Sequence, residues 1–67
     1  MSREQKIGKR LRALRGWRTL DEVAGALGIT RQSVSYYETG QRMPKDKMKI
    51  RIAEYYGKTV QDIFFSD

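Results

Sequence analysis

The sequence predicts an all-α domain built from five short helices. Three observations carry that expectation. Apolar residues recur at helical spacing, and no run alternates with a period of two. A glycine or a threonine stands at almost every break between the apolar stretches, where helices begin and end. Proline occurs once in 67 residues, at Pro44, outside every apolar stripe. A chain of this length makes one domain, residues 1–67, and no linker, repeat or low-complexity tract divides it.

The first helix is expected from about Ser2 to Arg15. Ile7, Leu11 and Leu14 are spaced i, i+4, i+7 and form one stripe. Ser2 or the chain start opens it. Gly16 closes it after a last turn rich in Arg, the charge that a helix C-terminus favours. The second helix runs from Leu20 to Leu27. Thr19 with Glu22 three residues later reads as a capping box. Leu20, Val23, Ala24 and Leu27 fall within one arc of about 100°, with Asp21, Glu22 and Gly25 outside it. Gly28 then follows, where a left-handed cap suits glycine. The third helix runs from Arg31 to about Thr39, with Thr30 as its N-cap and Gly40 as its end. The fourth lies between Pro44 and Tyr56, since proline is tolerated before or in a first turn but not deeper. Met48, Ile52, Ala53 and Tyr56 make its stripe, and Gly57 ends it. The last element is a single turn, Val60 to Phe65, with Val60, Ile63 and Phe64 facing one way.

Composition narrows the function before any motif does. Fourteen Lys and Arg against eight Asp and Glu leave a net charge of +6. Such an excess points to a polyanionic partner, although small basic surfaces also serve solvation alone. The chain has no Cys, hence no disulfide framework, zinc–thiolate site or thiol nucleophile. It also has no His, the commonest general base and metal ligand. With no carboxylate pair and no phosphate loop, the expectation is a protein that is not an enzyme, with no cofactor, metal site or small-molecule substrate. Met1 to Lys6 lack the apolar core of a signal peptide. No apolar run approaches the roughly 20 residues that span a bilayer. A cytoplasmic protein without a membrane partner is expected.

The stretch "LGITRQSVSYYETG", residues 27–40, mixes three jobs. Stepping about 100° per residue from Arg31 places Ser33, Val34 and Tyr37 on one side of the third helix. Arg31, Gln32, Ser35, Tyr36 and Thr39 fall on the other. The first side is the buried one, with Ser33 small enough to admit a neighbouring helix. A polar outer face is the default for any surface helix, but this one lacks the Glu, Asp and Lys that dominate solvated faces. It offers Arg and Gln, which can make paired hydrogen bonds to guanine and adenine edges. Both stand in the first turn, the end a recognition helix presents to the groove.

Read together, "LDEVAGALGITRQSVSYYE" resembles the helix-turn-helix of the XRE, or phage Cro/CI-like, repressor family. Ala24 matches the small residue where the two helices touch, and Gly28 matches the turn glycine. Val23, Leu27, Ile29, Val34 and Tyr37 match the buried positions. The flanks "LRALRGWRT", "ETGQRMP", "IRIAEYYG" and "VQDIFF" agree, so the resemblance covers about residues 5 to 65. It implies a compact five-helix, lambda repressor-like domain with its helix-turn-helix at about 20–39. It also implies a sequence-specific double-stranded DNA binder, a repressor or Cro-like switch protein. Arg31, Gln32, Ser35 and Tyr36 are then the base-reading candidates. Gln41, Arg42 and Lys45 are the backbone candidates after the third helix, with Thr39 at its end and Thr30 at its start. Arg18 and Thr19 stand near the entry to the second helix for the same purpose. The family pairs an Arg with the acid of the third helix, so Arg15 and Glu38 are expected to form a structural ion pair.

Three departures from the family pattern stand out. Leu20 occupies a position that is often a phosphate-contacting Gln, and is expected to extend the buried arc instead. The link "GWR" is short, and Trp17 within it is expected to cap the core edge, with a DNA-backbone contact through its indole N–H as the alternative. Lys49 falls where an aliphatic residue is common, so either Met48 takes that place or the Lys49 stem snorkels. Lys9, Arg10 and Arg12 read as solvated charges.

One short recognition helix reads few base pairs, so a homodimer on a palindromic operator is expected. Tyr56, Ile63 and Phe64 suit the monomer core by spacing, which leaves Tyr55 and Phe65 as the dimer-interface candidates. The competing class is a protein-interaction module, such as an antitoxin or regulatory subunit on the same fold. It predicts an apolar outer face on the third helix, where only Tyr36 leans that way.

Overall fold

The computed structural model describes residues 1–66 and contains no strand among them. Four α-helices follow one another: α1 (Arg3–Arg15), α2 (Leu20–Leu27), α3 (Arg31–Thr39) and α4 (Asp46–Tyr56). A π-helical turn, Gln61–Phe65, follows them. Two boundaries differ from the sequence expectation. α4 starts at Asp46 because Lys45 is extended, with φ −73° and ψ 166°, and Pro44 is buried ahead of it. The last element begins at Gln61, one residue after the helical Val60.

Capping explains the starts. At α1 the box is complete: Ser2 Oγ accepts from the Gln5 N–H at 3.1 Å, and the Ser2 N–H donates to Gln5 Oε1 at 3.0 Å. At α2 only half of the expected box forms, Thr19 Oγ1 accepting from the Glu22 N–H at 3.1 Å. Thr30 Oγ1 accepts from the Ser33 N–H at 3.1 Å and caps α3.

The core draws on every element: Ile7 and Leu11, then Val23, Ala24 and Leu27, then Val34, then Ile52 and Ala53, and finally Ile63 and Phe64. Leu20, Ile29, Tyr37, Met48 and Tyr56 pack around it half-buried. Lys49 and Met48 share the place that sequence left between them. Met48 packs on the core, while the Lys49 ammonium lies 5.7 and 5.3 Å from the Phe64 and Phe65 ring centres.

The broadest helix crossing is α1 on α3, and Gly8 permits it. A Cβ on Gly8 would lie 2.3 Å from the Glu38 carbonyl oxygen. Ser33, expected to serve close packing, is instead half-exposed at the rim, its hydroxyl accepting from Thr30 Oγ1 at 3.0 Å. Gly40 meets two demands at once: its φ is +80°, and a Cβ there would lie 2.9 Å from the Gln5 nitrogen. Between α2 and α3, Gly28 takes φ +70°, and the Ile29 N–H returns to the Ala24 carbonyl at 3.0 Å. This helix-ending motif turns the chain within three residues and drives Ile29 back toward the core.

Two arginines of α1 are structural. Arg3 Nη2 donates to the Phe64 carbonyl at 3.1 Å. Arg10 Nη1 donates to the Ile63 carbonyl, and to that of Asp62 at 3.4 Å. The solvated reading of Arg10 is therefore corrected: it holds the carbonyls of the closing turn against α1.

Candidate nucleic-acid interface

The polar face of α3 is a connected surface. Arg31 and Gln32 are exposed in its first turn, and Ser35 and Tyr36 are half-buried one turn on. Gln32 Nε2 donates to the Tyr36 hydroxyl at 2.7 Å, an i, i+4 pair along the face. The Arg42 guanidinium lies 5.1 Å from the Tyr36 ring centre, so the loop after α3 is tied to the same ring. Thr39 Oγ1 donates to the Ser35 carbonyl at 3.0 Å and accepts from Gln41 Nε2 at 3.0 Å. The Gln41 and Arg42 N–H groups both donate to the Tyr36 carbonyl, at 2.9 and 3.2 Å. Gln32, Ser35, Tyr36, Thr39, Gln41 and Arg42 are thus linked in one strip along α3 and the loop after it. Lys45 stands exposed at the N-cap of α4.

The acid of α3 is neutralised beside this strip. Arg15 Nε donates to Glu38 Oε2 at 2.7 Å and Arg15 Nη2 to Glu38 Oε1 at 3.0 Å. The two side chains are only 15% and 7% exposed, respectively. Hydrogen bonding to Glu38 raises the Arg15 pKa above its ordinary value. A third bond, from Arg15 Nη1 to the Arg18 carbonyl at 2.9 Å, fixes the α1–α2 link to the pair. Burial, then the Glu38 charge, pushes the neighbouring Tyr56 phenol up to about 12.

A second bidentate pair lies in the open. Arg31 Nε donates to Asp21 Oδ1 at 2.9 Å and Arg31 Nη2 to Asp21 Oδ2 at 2.6 Å. It joins the first turn of α2 to the first turn of α3. Hydrogen bonding to Arg31 holds the Asp21 carboxyl below its usual range. By helical spacing Asp21 lies off the buried arc, and that spacing does not reveal its partner. The signal in the sequence is an acid at the start of α2 and an Arg at the start of α3, the two ends that a tight turn brings near each other.

The structure does not bring Arg18 into the strip. Its guanidinium lies over the rings of Trp17, Tyr55 and Tyr56, at 5.4, 5.5 and 5.7 Å, and donates to the Leu14 carbonyl at 3.2 Å. Trp17 does not cap the core edge, as its position in the link led us to expect. It is 82% exposed, because Gly16 turns the chain with φ +56° and ψ −122° and sets the indole in solvent beside the Arg18 guanidinium. Tyr55 is half-buried, edge-on to Tyr56 at 5.0 Å. Phe65 is 48% exposed and lies on a different patch, with Lys49, Ile50 and Val60.

Two helices joined by a three-residue turn, the second bearing an acid-neutralised polar face, define a helix-turn-helix module. Residues 6–63 match a family model described as a helix-turn-helix domain. A protein of Methanocaldococcus jannaschii described as an uncharacterized HTH-type transcriptional regulator is 36% identical over 46 residues, which cover 69% of this chain and 70% of that protein. No solved structure matches the chain. The chain belongs to the XRE-type helix-turn-helix family, a class of DNA-binding transcription regulators. No helix among the described residues is long and apolar enough to cross a membrane.

Proposed function

We propose that this protein is a sequence-specific transcriptional regulator, a repressor or Cro-like switch protein, that reads the major groove of double-stranded DNA with α3. The observation that carries the reading is the charge arrangement of that helix. Its one acid, Glu38, is spent on Arg15 inside the fold, so the outer face offers hydrogen-bond donors and an aromatic ring with no carboxylate of its own against phosphate. Arg31, Gln32, Ser35 and Tyr36 read base edges. Thr19, Thr30, Thr39, Gln41, Arg42 and Lys45 set the register on the sugar–phosphate backbone, carrying no sequence information themselves. Arg18 joins them only by leaving its aromatic cluster. The role is regulatory rather than catalytic, in the cytoplasm, with the nucleoid as its place of work.

The same reading includes a homodimer on a palindromic operator. Phe65 supports it, together with Ile50, which is 52% exposed on the neighbouring helix. Tyr55, half-buried beneath Arg18, adds less than its sequence position promised. Selection of bound sequences from a random duplex library tests both parts. The expected result is an enriched motif with two-fold symmetry and half-sites about one helical turn apart. A pool that stays random would refute the sequence-specific reading, and a single unsymmetrical half-site bound by one protein would refute the dimer.

A further inference from the structure

We propose that Asp21 is a positioning residue for Arg31: it grips one edge of the guanidinium and leaves the other edge to read a guanine. The inference rests on the reading of α3 given above. Arg carries five N–H donors in a fixed planar fork. Asp21 engages two of them, the Nε hydrogen and one hydrogen on Nη2. Among the described residues, both hydrogens of Nη1 and the second of Nη2 make no hydrogen bond. Among these is the end-on pair, one hydrogen from each terminal nitrogen, that matches O6 and N7 of guanine. Carboxylate and base can therefore hold the same guanidinium at once, on different edges.

The pair has little to do for folding. Its side chains are 64% and 66% exposed, and exposed ion pairs contribute little to stability. What it does fix is a long side chain on the reading face. An Arg already immobilised loses less rotamer freedom when it docks, and its planar fork approaches the base in one orientation. Asp21 also acts against wrong partners. Where no guanine faces Arg31, the carboxylate still brings a negative charge to a polyanion, a repulsive element of the kind that sharpens specificity.

Charge repulsion alone and positioning make different predictions for Asp21→Asn. The test uses the full chain and two duplexes, the preferred site and a scrambled one of equal length, titrated at one salt concentration by fluorescence anisotropy. Arg31→Ala, Asp21→Asn and the double variant are compared with wild type. A bidentate Arg–guanine contact discriminates by about 5- to 150-fold. Asp21→Asn is expected to bind the preferred duplex more weakly and the scrambled one as well or better, lowering the ratio of affinities about tenfold. The lost preference should fall at the base pair that Arg31→Ala relaxes, and adding Asp21→Asn to Arg31→Ala should leave the ratio where Arg31→Ala put it. If Asp21→Asn tightens both duplexes equally, the ratio is unchanged, Asp21 merely repels phosphate, and the positioning role is overturned while the reading of α3 stands. If Arg31→Ala keeps the wild-type preference, Arg31 is no reader and the proposal falls with it. If wild type does not distinguish the duplexes at all, the reading of α3 itself has failed.

Discussion

Replacing Gly8 and Gly25 by alanine in turn applies one chemical change to two helices with opposite expected results. In an exposed helix interior, Gly→Ala stabilises by about 0.8–1 kcal/mol, because alanine loses less backbone freedom on folding. Gly25 is exposed within α2 and has nothing within 4 Å of the added Cβ, so it should show this gain in full. For a domain this small, about 1 kcal/mol corresponds to a rise of roughly 4–8 °C in Tm. At Gly8 the same methyl would sit 2.3 Å from the Glu38 carbonyl oxygen, 2.7 Å from its carbon and 2.8 Å from the Tyr37 oxygen. The obstruction is backbone, which cannot rotate aside, so α1 and α3 must part by more than half an ångström. Overpacking of this kind costs about 1–3 kcal/mol and exceeds the propensity gain over most of that range. The separation also pulls at the Arg15–Glu38 pair, which bridges the same two helices. Gly8→Ala should therefore lower Tm by several degrees while Gly25→Ala raises it, measured by far-UV circular dichroism and checked by urea titration. A Gly8→Ala protein as stable as Gly25→Ala would refute the close crossing of α1 and α3.

Other outcomes follow from the same geometry. Glu38→Ala leaves the Arg15 guanidinium partly buried and unpaired, and should cost about 3–5 kcal/mol in urea unfolding. Tyr56 should ionise near its raised value of about 12 in a spectrophotometric titration of the folded chain. Since the unfolded phenol releases its proton first, near 10.0, stability from this group is constant below that pH and falls as pH rises toward 12. Tyr56→Phe should remove that part of the alkaline loss. Arg42→Ala should weaken binding to specific and random DNA alike and flatten the plot of log affinity against log salt by about one unit. An unchanged slope would take Arg42 out of the phosphate contacts.

The helices were legible because their signals are local. Thr19, Gly28, Thr30 and Gly40 mark ends that depend on φ and on one side-chain hydrogen bond, and α2 and α3 begin and end where those residues put them. α4 was harder, since Pro44 permits a helix start without requiring one and the chain stays extended through Lys45. Long-range contacts were mostly hidden. Nothing near Gly8 in sequence reveals that Glu38 lies against it. Nothing near Arg10 reveals that it holds the carbonyl of Ile63, 53 positions away. Trp17 shows the reverse failure, because a large aromatic beside a core is usually covered, and here the Gly16 turn leaves it in solvent. On the interface strip, residue types and helical period placed Arg31, Gln32, Ser35 and Tyr36 on one face. They gave no sign of the links that join that face to Asp21 and Arg42, which exist only once the turn is made.

Amide chemical-shift mapping of the labelled chain, titrated with its selected duplex, tests most directly whether α3 is the surface that meets DNA. The largest changes are expected at Arg31, Gln32, Ser35 and Tyr36 and through the loop from Gly40 to Lys45, with the Arg31 side-chain Nε–H shifting as its free edge engages a base. Changes confined to Ile50, Val60 and Phe65, with α3 unmoved, would contradict the account.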